Sequence, residues 1–256
     1  YTMVNTRRIG GQPRSLSLAA DEDIPDRESD LPVDLLGALK VTGQSGRFRY
    51  GFFGAFEEDI DIRGTKADMP VKFTQTGSDY GVARLIYEDS KNGAYRALGV
   101  LTTAVLHESG DALVTGIDGH YLTSDGKIQL DSQVMTSSID GEERGFGGFI
   151  DGVYTIKKGV QQRLGIEYFD KNIDINDLGF LQRNDSFRVR SSHIRVKSGL
   201  GWARENQFDV RGFIQKNSDD VFTGGGVFVS DRLTLNNLSS ILVRAAFFPK
   251  AFDDLN

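Results

Sequence analysis

Strict two-residue alternation across Gly148–Phe169 constrains this chain more than any other feature. Ile150, Gly152, Tyr154 and Ile156 share one face of an extended segment, and Asp151, Val153, Thr155 and Lys157 share the other. Lys158-Gly159 reverses the chain, glycine supplying the positive φ of a tight hairpin. On the return, Leu164, Ile166 and Tyr168 oppose Arg163 and Glu167, with Phe169 as the exception. A period of two means a strand whose two sides meet different solvents.

The unit recurs. Val33–Thr42 sets Leu35, Gly37, Leu39 and Val41 against Lys40 and Thr42, and Arg47–Phe56 sets Phe48, Tyr50, Phe52 and Phe56 against Arg47 and Arg49. Tyr80–Glu88 opposes Ala83, Leu85 and Tyr87 to Arg84 and Glu88, and Asn92-Gly93 then turns into Tyr95–Leu106, which carries Arg96. Asp111–Leu122 places Leu113, Ile117 and Tyr121 opposite Asp118 and His120, and Lys127–Met135 lines up Gln129, Asp131 and Gln133. Further strands are expected at 187–197, 206–216 (with Asp209 and Arg211), 221–230 and 233–247, with a bulge at Ser191-Ser192 where alternation slips. Tyr1–Arg8 alternates weakly and reads as a first strand. The total is about twelve or thirteen strands in one domain spanning 1–256.

From Val33 onward, short turns alternate with longer links. The short ones fall at 43–46, 89–93, 123–126, 158–159 and 230–232, and the long ones at 57–79, 137–145 and 170–186; 198–205 is longer than its place predicts. Residues 10–33 add an acidic loop. Such sorting, with strands of about ten residues, is the pattern of an outer-membrane barrel with short turns on one side and longer loops outside. The expected fold is therefore all-β: an antiparallel transmembrane β-barrel of outer-membrane type, and an incomplete part of a larger one. Single-chain bacterial barrels usually have an even number of strands, which a count of about twelve or thirteen does not secure, and Pro249–Asn256 reads as a polar turn rather than a closing strand. Further strands or other chains are expected to complete the wall, and an earlier segment is expected before Tyr1.

Composition fits this expectation. No apolar run approaches the roughly 18 residues of a membrane helix, all five prolines lie outside the expected strands, and cysteine is absent. A net charge of −6 excludes a chain-wide basic footprint for nucleic acid. Lys40, Arg47, Arg49, Arg84, Glu88, Arg96, Asp118, His120, Asp131, Arg163, Glu167, Asp209 and Arg211 are the expected lumen lining. Phe48, Tyr50, Leu85, Tyr87, Leu113, Ile117, Tyr121, Ile150, Tyr154, Ile156, Leu164, Ile166 and Tyr168 are the expected lipid-facing set, the tyrosines suiting aromatic girdles.

Catalytic and metal motifs are not found. Asp170, Asn172, Asp174 and Asn176 alternate like the start of a calcium loop, but Ile175 occupies the position where glycine is needed and the bidentate glutamate is missing. Gly224-Gly225-Gly226 lacks the Lys-Ser/Thr of a phosphate loop, and His107, His120 and His193 are scattered. The expected function is a channel or uptake pore in the bacterial outer membrane, with no enzymatic activity and no cofactor. The alternatives are a barrel that houses or anchors a plug or periplasmic protein, and a soluble β-sandwich or carbohydrate-binding module.

Four short motifs carry a resemblance. They are Arg7-Arg8-Ile9-Gly10, the run Leu36–Gly43, Asp177-Leu178-Gly179-Phe180-Leu181 with Arg183 and Asp185, and Phe252-Asp253-Asp254-Leu255. In this order they resemble the barrel region of bacterial proteins grouped as the domain of unknown function 5916. The resemblance implies an outer-membrane location in didermic bacteria and a chain continuing past the Asp-Asp motif. It implies no established catalytic residues. Members often carry a family-nine-like carbohydrate-binding module before the barrel; a carbohydrate ligand would belong to that module.

Overall fold

Twelve consecutive antiparallel neighbours form one large sheet. The computed structural model describes residues 1–13 and 18–252. Its strands are β1 (Glu22–Asp23), β2 (Leu35–Ser45), β3 (Phe48–Glu57), β4 (Ile60–Lys66), β5 (Met69–Gln75), β6 (Asp79–Lys91), β7 (Ala94–Leu106) and β8 (Ala112–Leu122), followed by β9 (Ile128–Ile139), β10 (Gly145–Lys157), β11 (Val160–Phe169), β12 (Ser186–Ser198), β13 (Ala203–Lys216), β14 (Phe222–Leu235) and β15 (Ser240–Phe247). The large sheet runs β15-β14-β13-β12-β11-β10-β9-β8-β7-β6-β3-β2, and β1-β4-β5 make a separate small sheet. The twelve strands are not closed into a ring among the described residues: β2 and β15 are both edges.

The sheet holds one register pattern from edge to edge. Ile150 faces Ile166 and Ser132, while Asp151 faces Gly165 and Asp131, so each face keeps its own residues. Accessible surface is 16200 Å², against about 11,000 Å² for a compact soluble monomer of 28.2 kDa. The excess is that of an open sheet, whose apolar face is uncovered. The small sheet touches no strand of the large one, so no second layer lies on that face among the described residues.

Local chemistry explains the turns. Asn92 and Gly93 both take positive φ, as a two-residue hairpin with matching twist requires. In the turn after β8, the Thr123 hydroxyl accepts from Ile128 N and donates to Asp125. The turns after β2, β6, β8, β10, β12 and β14 gather at one rim, and every longer link lies at the other.

Several expectations are corrected. Residues 57–79 are not a loop: Ile60, Ile62, Val71 and Phe73 alternate weakly and form the β4–β5 hairpin, which β1 joins through Glu22–Lys66 pairing. The Lys66 hydrogen bond holds the Glu22 carboxyl below the usual carboxylate range. The 137–145 link shrinks to 140–144, and the long 198–205 link to 199–202, because β9 and β13 extend into them. The last turn lies at 236–239 rather than 230–232, since Ser230, Asp231 and Arg232 continue the ladder against β13 and β15. No bulge interrupts Ser191-Ser192; the register there is continuous, and the polar His193, Arg195 and Lys197 simply lie on the outer face near the strand end.

Two segments expected elsewhere turn inward. Tyr1–Arg8 is not a strand of the sheet. Its Thr2 exchanges backbone hydrogen bonds with Phe180, Asn5 N donates to Leu178 O, and Thr6–Arg8 make one 3₁₀ turn. The 170–186 loop does not stay outside. Ile173, Ile175 and Leu178 are each 1 % exposed; Ile173 and Ile175, with Met3, Leu181 and Phe169, pack on Val114 and Met135 of the sheet, and Leu178 packs with Ala55, Tyr80, Val105 and Ala112. The Asp/Asn alternation that resembles a calcium loop closes turns instead. Asp170 accepts from Asn172 N and Ile173 N, Asp174 from Asn176 N, and Asn176 from Leu181 N. These bonds satisfy backbone donors that burial would otherwise leave unpaired.

Ile175→Ala is expected to cost about 2–4 kcal/mol and to open 170–186 to protease while strand content stays constant. Circular dichroism with limited proteolysis of the variant checks this, and unchanged protease resistance would contradict it.

Candidate functional site

The site is the face of the sheet that carries the charges. It is concave: a cavity of about 960 Å³ is bounded by residues from β9 at one end to β15 at the other, including Asp131 and Arg244. A second space of about 530 Å³ lies between Tyr1–Val4 and the same face.

Eleven of the thirteen expected lumen residues lie on this face by register: Lys40, Arg49, Arg84, Glu88, Asp118, His120, Asp131, Arg163, Glu167, Asp209 and Arg211. Two do not. Arg47 sits in the β2–β3 turn and bonds Tyr87 and Asp89, which point outward. Arg96 faces Asp89 and Tyr121 on the outer side. Both are close to a turn, where a long basic side chain on the apolar face can reach the rim. All thirteen expected lipid-facing residues share the outer face and are 36–52 % exposed there. Aromatics form two bands on it. Phe48, Tyr50, Tyr87, Tyr121 and Tyr154 lie toward the short-turn rim, and Phe56, Phe146, Tyr168 and Phe187 toward the other. Phe146 and Tyr154 are about 26 Å apart along β10, the scale of a membrane-facing apolar band.

The concave charges are organised by glycine. Asp151, Gly165 and Arg190 stand in register on β10, β11 and β12. Arg190 Nη2 reaches Asp151 Oδ2 at 2.7 Å across the intervening strand, and Nη1 meets Glu167 Oε1 at 2.5 Å. A Cβ on Gly165 would overlap both Asp151 Oδ1 and Arg190 Nε. The same device recurs beside Gly99, whose Cβ would come within 2.6 Å of Arg84 Nη2 and 2.8 Å of Asp118 Oδ2. There Arg84 and Asp118 form a two-pronged pair, with Nη2 to Oδ2 at 2.7 Å and a second bond from Nη1 to Oδ1. Pairing is demanded because Asp118 is 5 % exposed, and a lone buried carboxylate is costly.

His120 sits between two carboxylates, Nε2 to Asp118 Oδ2 at 3.1 Å and Nδ1 to Asp131 Oδ1 at 2.7 Å. Gln129 donates to the other oxygen of Asp131, and Arg211 holds Asp209 through Nε at 2.6 Å. No group of three or more His, Asp or Glu among the described residues is arranged to hold a metal ion. The glycine run in β14 also has a structural use: the Phe248 ring occupies the space beside Gly226 that a Cβ would take.

Sequence reasoning missed Arg188, Arg190 and Arg244, and placed Asp151 on the polar face without counting it in the lumen set. A signal was present, since Arg188 and Arg190 alternate with the apolar Phe187 and Val189. The supposed slip at Ser191 obscured it.

The fold and site define a class: an amphipathic antiparallel meander, apolar outside and cross-linked by ion pairs within. The model of the domain of unknown function DUF5916 matches residues 2–237, and the chain belongs to that family. No curated protein and no solved structure matches it. Two of the motifs that suggested the family meet in space. Ile9 packs on the cluster that contains Leu178, and Gly179 lies so close to Thr2 O and Ile175 O that a Cβ would stand 2.6 Å from each. Gly10 N donates to the buried Glu57, whose other oxygen accepts from Ser78 N. Phe252 bonds Phe222 O, whereas Asp253, Asp254 and Leu255 lie outside the described residues.

Gly165→Val is expected to push Arg190 off Asp151 and cost about 1–3 kcal/mol, whereas Gly37→Ala, with open space at its Cβ, should stay within about 0.5 kcal/mol. Urea unfolding of both variants tests the difference; equal stabilities would refute the bridging role of Gly165.

Proposed function

We propose that this chain is the wall of a bacterial outer-membrane barrel through whose charged interior a solute passes. One observation carries the proposal: the thirteen residues of the apolar set stand uncovered on one face, while eleven of the expected ionisable residues, together with Asp151, Arg188, Arg190 and Arg244, share the other. Water gives no reason to leave such a belt bare, and lipid does. Strand edges inside hydrocarbon must be paired. In a membrane, β2 and β15 are therefore met by further strands, either of the same polypeptide or of another chain. Lipid is the partner of the outer face. No catalytic step is assigned, since the concave acids and bases are tied to one another across strands rather than grouped around a nucleophile.

A second role, housing a protein partner, is favoured by a separate observation. The concave face already grips polypeptide, with Met3 against Gly116 and Gln133, and Ile173 against Gly145. A soluble sandwich would need a covering layer on the apolar face.

Full-length protein is expected to stay in the membrane pellet through carbonate washing and, once reconstituted in planar bilayers, to pass ions in discrete steps. Release by carbonate without detergent would end the membrane proposal. A silent reconstituted barrel that copurifies with a stoichiometric partner would replace the pore with the housing role.

A further inference from the structure

The large cavity on the concave face is not neutral. Its lining includes five arginines (Arg163, Arg188, Arg190, Arg211 and Arg244) and three aspartates (Asp131, Asp151 and Asp209). Asp131 is engaged by His120 and Gln129, Asp151 by Arg190, and Asp209 by Arg211 through Oδ2, its Oδ1 being enclosed without a partner. The carboxylate directly opposite Arg188 in the ladder, Glu167, is taken by Arg190.

Three guanidinium groups are thereby left without an acid among the described residues. Arg188 lies over the Phe213 ring at 4.5 Å, and its Nε is enclosed with no hydrogen-bond partner. Arg163 reaches only the side chain of Gln161, at 3.5 Å. Arg244 stands in register with Ser230. A guanidinium carries five donors in a planar fork, and an enclosed donor without an acceptor is costly. The group that satisfies such a fork best is a carboxylate or phosphate, bound through two parallel hydrogen bonds.

Beside these cations lies an apolar surface. The Phe213 and Phe228 rings stack at 6.4 Å, and Phe248 meets Phe228 edge-on at 5.0 Å. The cavity volume, about 960 Å³, is at the upper end of the range for small-molecule sites.

We infer that this cavity is a binding site for a small organic oxyanion. Its carboxylate or phosphate group meets Arg188 and Arg163, which stand four ladder positions apart on neighbouring strands, and its apolar body rests on Phe213 and Phe228, with Arg244 at the far side of the cavity. The site presupposes that the concave face is the watered solute path proposed above, and it names the class of solute that path takes.

Calorimetric titration of the full-length protein in detergent tests the assignment with phenyl phosphate, benzoate and benzylamine as probes. Both anions are expected to bind and benzylamine to bind at least tenfold more weakly. The tighter anion tells a phosphate ester from a carboxylate solute. Arg188→Gln combined with Arg163→Gln should weaken anion binding at least tenfold, and Arg188→Lys should restore part of it. Heat-modified gel mobility checks that each variant is folded. No binding of either anion, equal binding of benzylamine, or an unchanged double variant would overturn the site. Planar-bilayer conductance separates this from the pore proposal. A protein that binds phenyl phosphate but never conducts keeps the site and loses the pore. One that conducts potassium in preference to chloride and binds no anion loses the site and keeps the pore.

Discussion

A strand has only two faces, and a slip of one residue exchanges them. Everything distinctive in this protein depends on twelve strands keeping that choice consistent. Ion pairs across the sheet help to fix it. Arg190 passes over Gly165 to reach Asp151, and Arg84 meets Asp118 beside Gly99, so each pair joins two strands across the one between them. Shifting β11 by one position would bring Leu164 or Ile166 under the Arg190 side chain and turn Arg163 and Glu167 to the apolar side. The glycines and the charges therefore act as one device, with space on one strand serving contact between the next two.

The concave face is also where the chain folds back on itself. Burial of Ile173, Ile175, Leu178 and Leu181 gives the 170–186 segment a reason to leave water. The Asx turns of Asp170, Asp174 and Asn176 remove the backbone cost of doing so. Tyr1–Ile9 is then held as a second layer by Thr2–Phe180 pairing and by Met3, which fits because Gly116 leaves room beneath it. Covered by these segments at one place, the face stays open at another, where the arginine-lined cavity lies.

Much of the sheet was legible in the sequence because alternation there is strong and the turns are chemically explicit. Asn92-Gly93 and Lys158-Gly159 mark hairpins by residue type alone. The β4–β5 hairpin was not legible, because Asp61, Arg63, Lys72 and Thr74 dilute its apolar positions in a short exposed sheet. The inward path of 170–186 was hidden for a different reason. A loop's destination depends on what it packs against, and Val114 and Met135 are far away in the chain. Arg47 followed the alternation on paper but sits in the β2–β3 turn, whereas Arg96 shares its parity with the outward Leu98 and Val100 and was assigned inward against the alternation. A barrel wall left incomplete within this chain was expected, and among the described residues β2 and β15 are unpaired edges of an open sheet.

The central claim is that the outer face meets lipid and the inner face meets water, and the absence of cysteine allows it to be read one residue at a time. Single cysteines placed successively from Gly148 to Lys157 can be spin-labelled in the reconstituted full-length protein, and their collisions with oxygen and with a water-soluble nickel complex measured. Oxygen should dominate at Ile150, Gly152 and Tyr154, nickel at Asp151 and Val153, and the two should alternate with a period of two. Shielding of Ile150 and Tyr154 from both reagents, or equal access of the nickel complex at every position, would contradict the account.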